Sequence, residues 1–122
     1  KYDQVEIYLK SNDANYEIKS ILAGVFPDNV NKCIEEKKDI VKVLDVMFKD
    51  YEKVSDSKNH EADITGNSKA HIDQYNINFP NHIRVECTEF SEQMKNEGQA
   101  QNSLNIVVMS KEINNWIASG YN

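Results

Sequence analysis

Period-two patterning in four separate stretches constrains this chain more than any other feature. Val5, Ile7 and Leu9 alternate with Glu6, Tyr8 and Lys10. In 70–79, His71, Asp73, Tyr75, Ile77 and Phe79 share one side. In 82–90, Ile83, Val85 and Cys87 oppose Arg84, Glu86, Thr88 and Phe90. In 104–109, Leu104, Ile106 and Val108 oppose Asn105, Val107 and Met109. Successive side chains of a strand point to opposite faces, so each stretch reads as a half-buried strand with one wet side. Pro80-Asn81 supplies a turn, and neighbours joined by short turns pair antiparallel.

Helical spacing fills the gaps. Ile18, Ile21, Leu22 and Val25 share one face of a helix over 16–25, stopped by Gly24 and Pro27. Val30, Ile34, Val41, Leu44, Phe48 and Tyr51 follow at intervals of a long amphipathic helix over 30–51, with Asp28 or Asn29 as its cap. Ile40 to Phe48 is apolar nearly all round, which means burial on two sides or an exposed strip that meets a partner. Its β-branched residues make a strand the second reading there. Ser55 to Lys69 is polar and reads as a loop of about 12–15 residues, longer than the usual connection. Ser91 to Ser103 is polar, with room for one helical turn. Ser110 caps a final helix whose apolar face is Ile113, Trp116 and Ile117, a spacing that suits core packing.

The expected order is strand, helix, helix, three strands, helix. It predicts one α+β domain over 1–122: a mainly antiparallel four-stranded sheet with helices packed on one face. A chain of this size buries roughly two-thirds of its unfolded surface, enough for a core without metals or disulfides.

The net charge of −6 argues against nucleic acid and anionic lipid as partners, since both require a basic face. No stretch approaches the ~20 apolar residues of a membrane span. The chain begins at Lys1 rather than Met, which implies that a segment has been removed. Cys33 falls on a helix and Cys87 on a strand. Both read as small core residues of a reducing, cytoplasmic compartment, with a single disulfide between them as the alternative.

No constellation spells out a catalyst. His60, Glu61 and Asp63 lie close in sequence, and His71 and Asp73 share a strand side, but none has a defined zinc spacing. Glu86 and Glu89 fall on different faces of one strand, with Glu92 beyond, so they form no acid–base pair. Glycine-rich phosphate loops are absent from the sequence, and no cofactor is implied. Cys87 lacks the signature of a catalytic thiol.

What remains is acidity. Residues 1–54 carry 9 basic against 11 acidic residues, and 55–122 carry 5 against 9. The second half concentrates Asp56, Glu61, Asp63, Asp73, Glu86, Glu89 and Glu92. Gathered on one surface, these carboxylates would attract a basic protein and speed its association.

The tail, from His82-Ile83-Arg84-Val85-Glu86-Cys87-Thr88-Glu89-Phe90-Ser91-Glu92 through Ser103-Leu104-Asn105-Ile106-Val107-Val108-Met109-Ser110-Lys111-Glu112-Ile113-Asn114-Asn115-Trp116, resembles the immunity proteins of bacterial contact-dependent growth inhibition systems. The likeness is one of layout: acidic strand, polar connection, strand, short Trp-bearing helix. It implies a cytoplasmic, non-enzymatic protein that covers the active site of a cognate toxin domain, often a basic nuclease. Two further expectations stand beside it. One is an acidic dimeric module such as a secretion chaperone or adaptor, using 41–48 as its dimer face. The other is an enzyme with a metal site around His60 and His71. The free protein is expected to be a monomer or a homodimer.

Overall fold

In the computed structural model, which describes residues 1–98 and 100–120, six strands form one antiparallel sheet. The strands are β1 (Gln4–Leu9), β2 (Ile18–Val25), β3 (Glu52–Asn59), β4 (Lys69–Asn76), β5 (His82–Glu89) and β6 (Ser103–Met109). The helices are α1 (Val30–Met47), α2 (Glu92–Asn96) and α3 (Lys111–Ala118). The sheet order is β1-β2-β6-β5-β4-β3, so α1 carries the chain from the second strand to the far edge.

The expected four-stranded sheet is therefore wrong by two strands. The first is β2, read from the sequence as a helix. Ile18, Ile21, Leu22 and Val25 have helical spacing, but the register divides them, with Ile21 and Val25 on the α1 side of the strand and Leu22 on the other, and the loop before them decides. The Asp13 carboxylate accepts from the backbone N–H of Asn15 and of Glu17, both at 3.0 Å, which closes a turn instead of capping a helix. The chain then returns against β1 and is flanked by β6 on its other side. Gly24 belongs to this strand because a Cβ there would come within 2.6 Å of the Asn105 side-chain oxygen.

The second is β3, expected to be a loop from Ser55 onward. Every residue of Glu52–Asn59 is exposed, and the strand pairs only with β4 at the sheet edge. With both faces wet, no apolar alternation exists to announce it.

Other expectations hold in part. α1 begins at Val30, where the helical spacing placed it, but ends at Met47 instead of running to Tyr51. The Asn29 side chain accepts from Lys32 N–H at 3.0 Å, and the last turn closes through Phe48 N–H to Leu44 O at 2.8 Å. Val43, Val46 and Met47 stay exposed, so the apolar run is buried on one side only. The Ser110 hydroxyl accepts from Ile113 N–H at the start of α3. Trp116, expected in the core, is 41% exposed, because α3 packs only lightly against β2.

Strand register assigns the two faces. The face that meets α1 carries Ala23, Ile106, Val85, Asp73 and Ser55 in one row, and Val25, Leu104, Cys87, His71 and Ser57 in the next. Its core is Cys33, Val85, Cys87 and Leu104, with Val25, Val30, Ile34, Ile40, Leu44 and Ile106 packed around it.

Few large side chains are fully buried, and covalent and polar ties reinforce this small core. Cys33 and Cys87 form a disulfide with Cα atoms 5.9 Å apart, joining α1 to β5 across 54 residues of sequence. The reading of two free core thiols is thereby corrected: the helix lies over β5, and both side chains point into the same gap. Closing a loop of that length stabilises the fold by about 4 kcal/mol on the chain-entropy argument. Lys37 of α1 pairs with Asp73 of β4, and the Tyr75 hydroxyl donates to Asp45 at 2.7 Å.

Candidate functional site

The opposite, outer face carries different residues. Its rows run Val54–Gln74–Arg84–Val107–Leu22–Glu6 and Asp56–Ile72–Glu86–Asn105–Gly24–Gln4. Glu52 and Lys58 belong to the same face at the β3 edge. Over β3, β4 and β5 it opens into a depression of about 200 Å³ lined by Lys58, His60, Glu61, Ala70, Ile72, Arg84 and Glu86.

The depression owes its depth to the loop 60–68, which is held from within. Asp63 is 6% exposed and accepts from Thr65 N–H at 2.9 Å, Thr65 Oγ1 at 2.6 Å and Ser68 Oγ at 2.5 Å. Those hydrogen bonds, Ser68 first and Thr65 next, hold its carboxyl well below the usual carboxylate range. Ser68 Oγ in turn accepts from Ser91 N–H at 2.9 Å, tying the loop to the start of α2. The His60 ring packs 4.9 Å from that of Phe90.

Within the depression, Glu86 is only 15% exposed. It lies 3.4 Å from Arg84 Nε and accepts from Thr88 Oγ1 at 3.0 Å. Arg84 Nε is buried without a hydrogen-bond partner, since its approach to Glu86 is poorly aligned. Glu61 stands at the rim, 3.5 Å from Lys58 and mostly exposed, and Asp56 is exposed in the same row as Glu86.

The seven carboxylates predicted to form one binding surface are thus divided. Asp56, Glu61 and Glu86 come together on the outer face. Asp63 is structural. Asp73 faces α1 beside Lys37, Ser55 and Lys53. Burial raises its pKa, but the Lys37 and Ser55 hydrogen bonds and the two lysine charges outweigh that and leave it lowered. Glu89 is paired in register with Lys69 and belongs to the α1 side by alternation. Glu92 is in α2, bonded to Lys95 at 2.8 Å. Sequence reasoning missed two outer-face carboxylates, Glu6 and Glu52. The wet side of the first strand was visible, but which sheet face it joined depends on β2.

The metal-site candidates are also separated. His71 lies on the α1 face, its Nδ1 3.0 Å from Ser57 Oγ, whereas His60 lines the outer depression and its Nδ1 accepts from Ala62 N–H. Among the described residues, no three His, Cys, Asp or Glu side chains are grouped as a metal ion would require. No described helix is long and apolar enough to cross a membrane. No family model, curated protein or solved structure matches the chain.

Proposed function

We propose that this protein is a non-catalytic inhibitor of the immunity type, which binds a basic protein through the outer face of its sheet. The observation that carries the reading is the charge of that face. Glu6, Glu52, Asp56, Glu61 and Glu86 stand against Lys58 and Arg84 alone among its charged strand and rim residues. A basic toxin domain would meet carboxylates on a rigid sheet, where little side-chain ordering is needed on binding. Arg84 and Lys58 divide the acidic field and would fix the register of a partner, since like-charge contacts are costly.

The disulfide bears on where this happens. Such bridges persist in oxidising compartments, so an exported site of action is better supported than the cytoplasm. That favours a basic partner met outside the cytoplasm over an intracellular nuclease. The dimeric-module reading has its own support in the exposed Val43, Val46 and Met47 of α1.

The test is affinity capture from an envelope extract of the native source, with wild-type protein and an Asp56→Lys/Glu86→Lys variant as baits. One stoichiometric basic protein held by the wild type at low salt and lost from the variant supports the proposal. The same protein captured equally by both baits, or an acidic protein held by both, overturns it.

A further inference from the structure

The two edge strands differ in a way the outer-face proposal does not use. β3, at one end of the sheet, presents Glu52, Lys53, Asp56 and Lys58 along eight residues, the charged pattern that blocks edge-to-edge pairing. β1, at the other end, has the sequence Gln-Val-Glu-Ile-Tyr-Leu, with no lysine and no proline. Its α1-side residues Val5 and Ile7 are 57% and 56% exposed, and Leu9 is exposed as well. They continue an apolar row, Ile7–Ile21–Val108–Ile83, in which Val108 is also exposed.

We propose that the occupant of the β1 edge is β1 of a second copy, paired antiparallel about a two-fold axis through Ile7. A two-fold normal to the sheet keeps each side chain on its own face, so only residue-centred registers are allowed. Two of these leave a single residue of the strand unpaired. The register centred on Glu6 sets Glu6 against its own copy, and opposed like charges destabilise a pair. The register centred on Ile7 sets Ile7 against Ile7, Val5 against Leu9 and Glu6 against Tyr8, and leaves Gln4 without a strand partner. On the α1 side Ile7 meets Ile7 and Val5 meets Leu9, which follows the register shift between Tyr8 and Leu9, and no pair on the outer side joins like charges. Two sheets merge into one of twelve strands, and the half-exposed apolar row becomes continuous across the axis.

This surface is separate from the outer depression, and salt distinguishes the two. Chains of net charge −6 repel one another, so self-association tightens as salt rises, whereas capture of a basic partner weakens.

Self-crosslinking through single introduced cysteines tests the register, because the native Cys33 and Cys87 are buried in their own bridge. Ile7→Cys places two thiols together on the axis. Val5→Cys places each opposite Leu9 and away from its copy. Expected are a doubled mass for the wild type in sedimentation at high concentration and a disulfide-linked dimer from Ile7→Cys but not Val5→Cys. Ile7→Lys should give a monomer, while Val54→Lys on β3 should leave the dimer intact. A wild type monomeric at every concentration, an Ile7→Cys protein that stays unlinked, or equal linking of the two variants each overturns the proposal. A monomer whose β1 edge instead takes a strand from another protein would appear as the first of these outcomes.

Discussion

Asp73 and Glu86 lie on neighbouring strands and on opposite faces of the sheet, and the fold uses them differently. Asp73 faces α1, where Lys37, Lys53 and Ser55 surround it, so its charge is spent on holding the helix in place. Glu86 faces away, with one imperfectly aligned Arg84 and one hydroxyl, at the floor of an open depression. A count of acidic residues treats the two alike. A carboxylate that has already satisfied its hydrogen bonds inside the fold offers nothing to a partner, so only the outer set counts toward a binding surface.

Changes on the α1 face should therefore cost stability, and changes on the outer face should cost association. The largest effect is expected from the disulfide. Cys33→Ala/Cys87→Ala should lose about 4 kcal/mol in urea unfolding at pH 7, and reduction of the wild type should reproduce most of that loss. A loss under about 1 kcal/mol would mean that the reduced chain is held by other contacts to nearly the same degree.

Next is the Lys37–Asp73 pair. Asp73→Asn leaves Lys37 without its counter-ion in a mostly buried setting, with an expected loss of about 2 kcal/mol at neutral pH. The sign of its pH dependence follows from the lowered pKa. The stability that ionised Asp73 contributes is fully present above its ordinary value of 3.8 and is lost as pH falls through the lower folded value. Unfolding midpoints of wild type and variant should therefore converge in strong acid. A constant gap across pH would show that packing, not charge, is responsible.

A smaller effect comes from His82. Burial lowers its pKa, its Nδ1 is hydrogen-bonded to Pro80 O at 2.9 Å, and its Nε2 is buried without a partner. The neutral ring suits that setting. Stability from this group is complete above the ordinary value of 6.5 and declines as pH falls toward the folded value, because the unfolded chain takes the proton more readily. His82→Asn should flatten the stability profile just below pH 6.5, a region in which Asp73→Asn leaves the slope unchanged.

The sequence made much of the α1 face legible. Alternation in 82–90 and 104–109 separated Val85 and Cys87 from Arg84 and Glu86, and helical spacing placed α1. Two strands escaped for opposite reasons. In β2 the apolar residues are spaced as on a helix and end up on both faces of the sheet, and the Asp13 turn and the space between β1 and β6 select the strand. In β3 the pattern is silent because the strand buries nothing. Without those two strands the sheet has no assigned edges, so the sequence could not divide the acidic residues between faces. The disulfide was an open alternative for a related reason: Cys33 and Cys87 were each placed on the right kind of element, but their meeting depends on where α1 crosses the sheet.

The smallest effect on stability and the largest on association are expected at the outer rim. Asp56→Lys and Glu61→Lys should each change unfolding stability by less than about 0.5 kcal/mol. Both should slow association with a basic partner at low salt, with the deficit shrinking as salt rises.

The division of the two faces is tested most directly by carboxyl footprinting of the protein with and without the captured partner. Carbodiimide labelling read by mass spectrometry reports each carboxylate separately. The account predicts that Asp56, Glu61 and Glu86 lose reactivity in the complex while Glu35 and Asp39 of α1 keep theirs. Protection of the α1 carboxylates with Asp56 and Glu61 still reactive would place the partner on the other side of the molecule and contradict it.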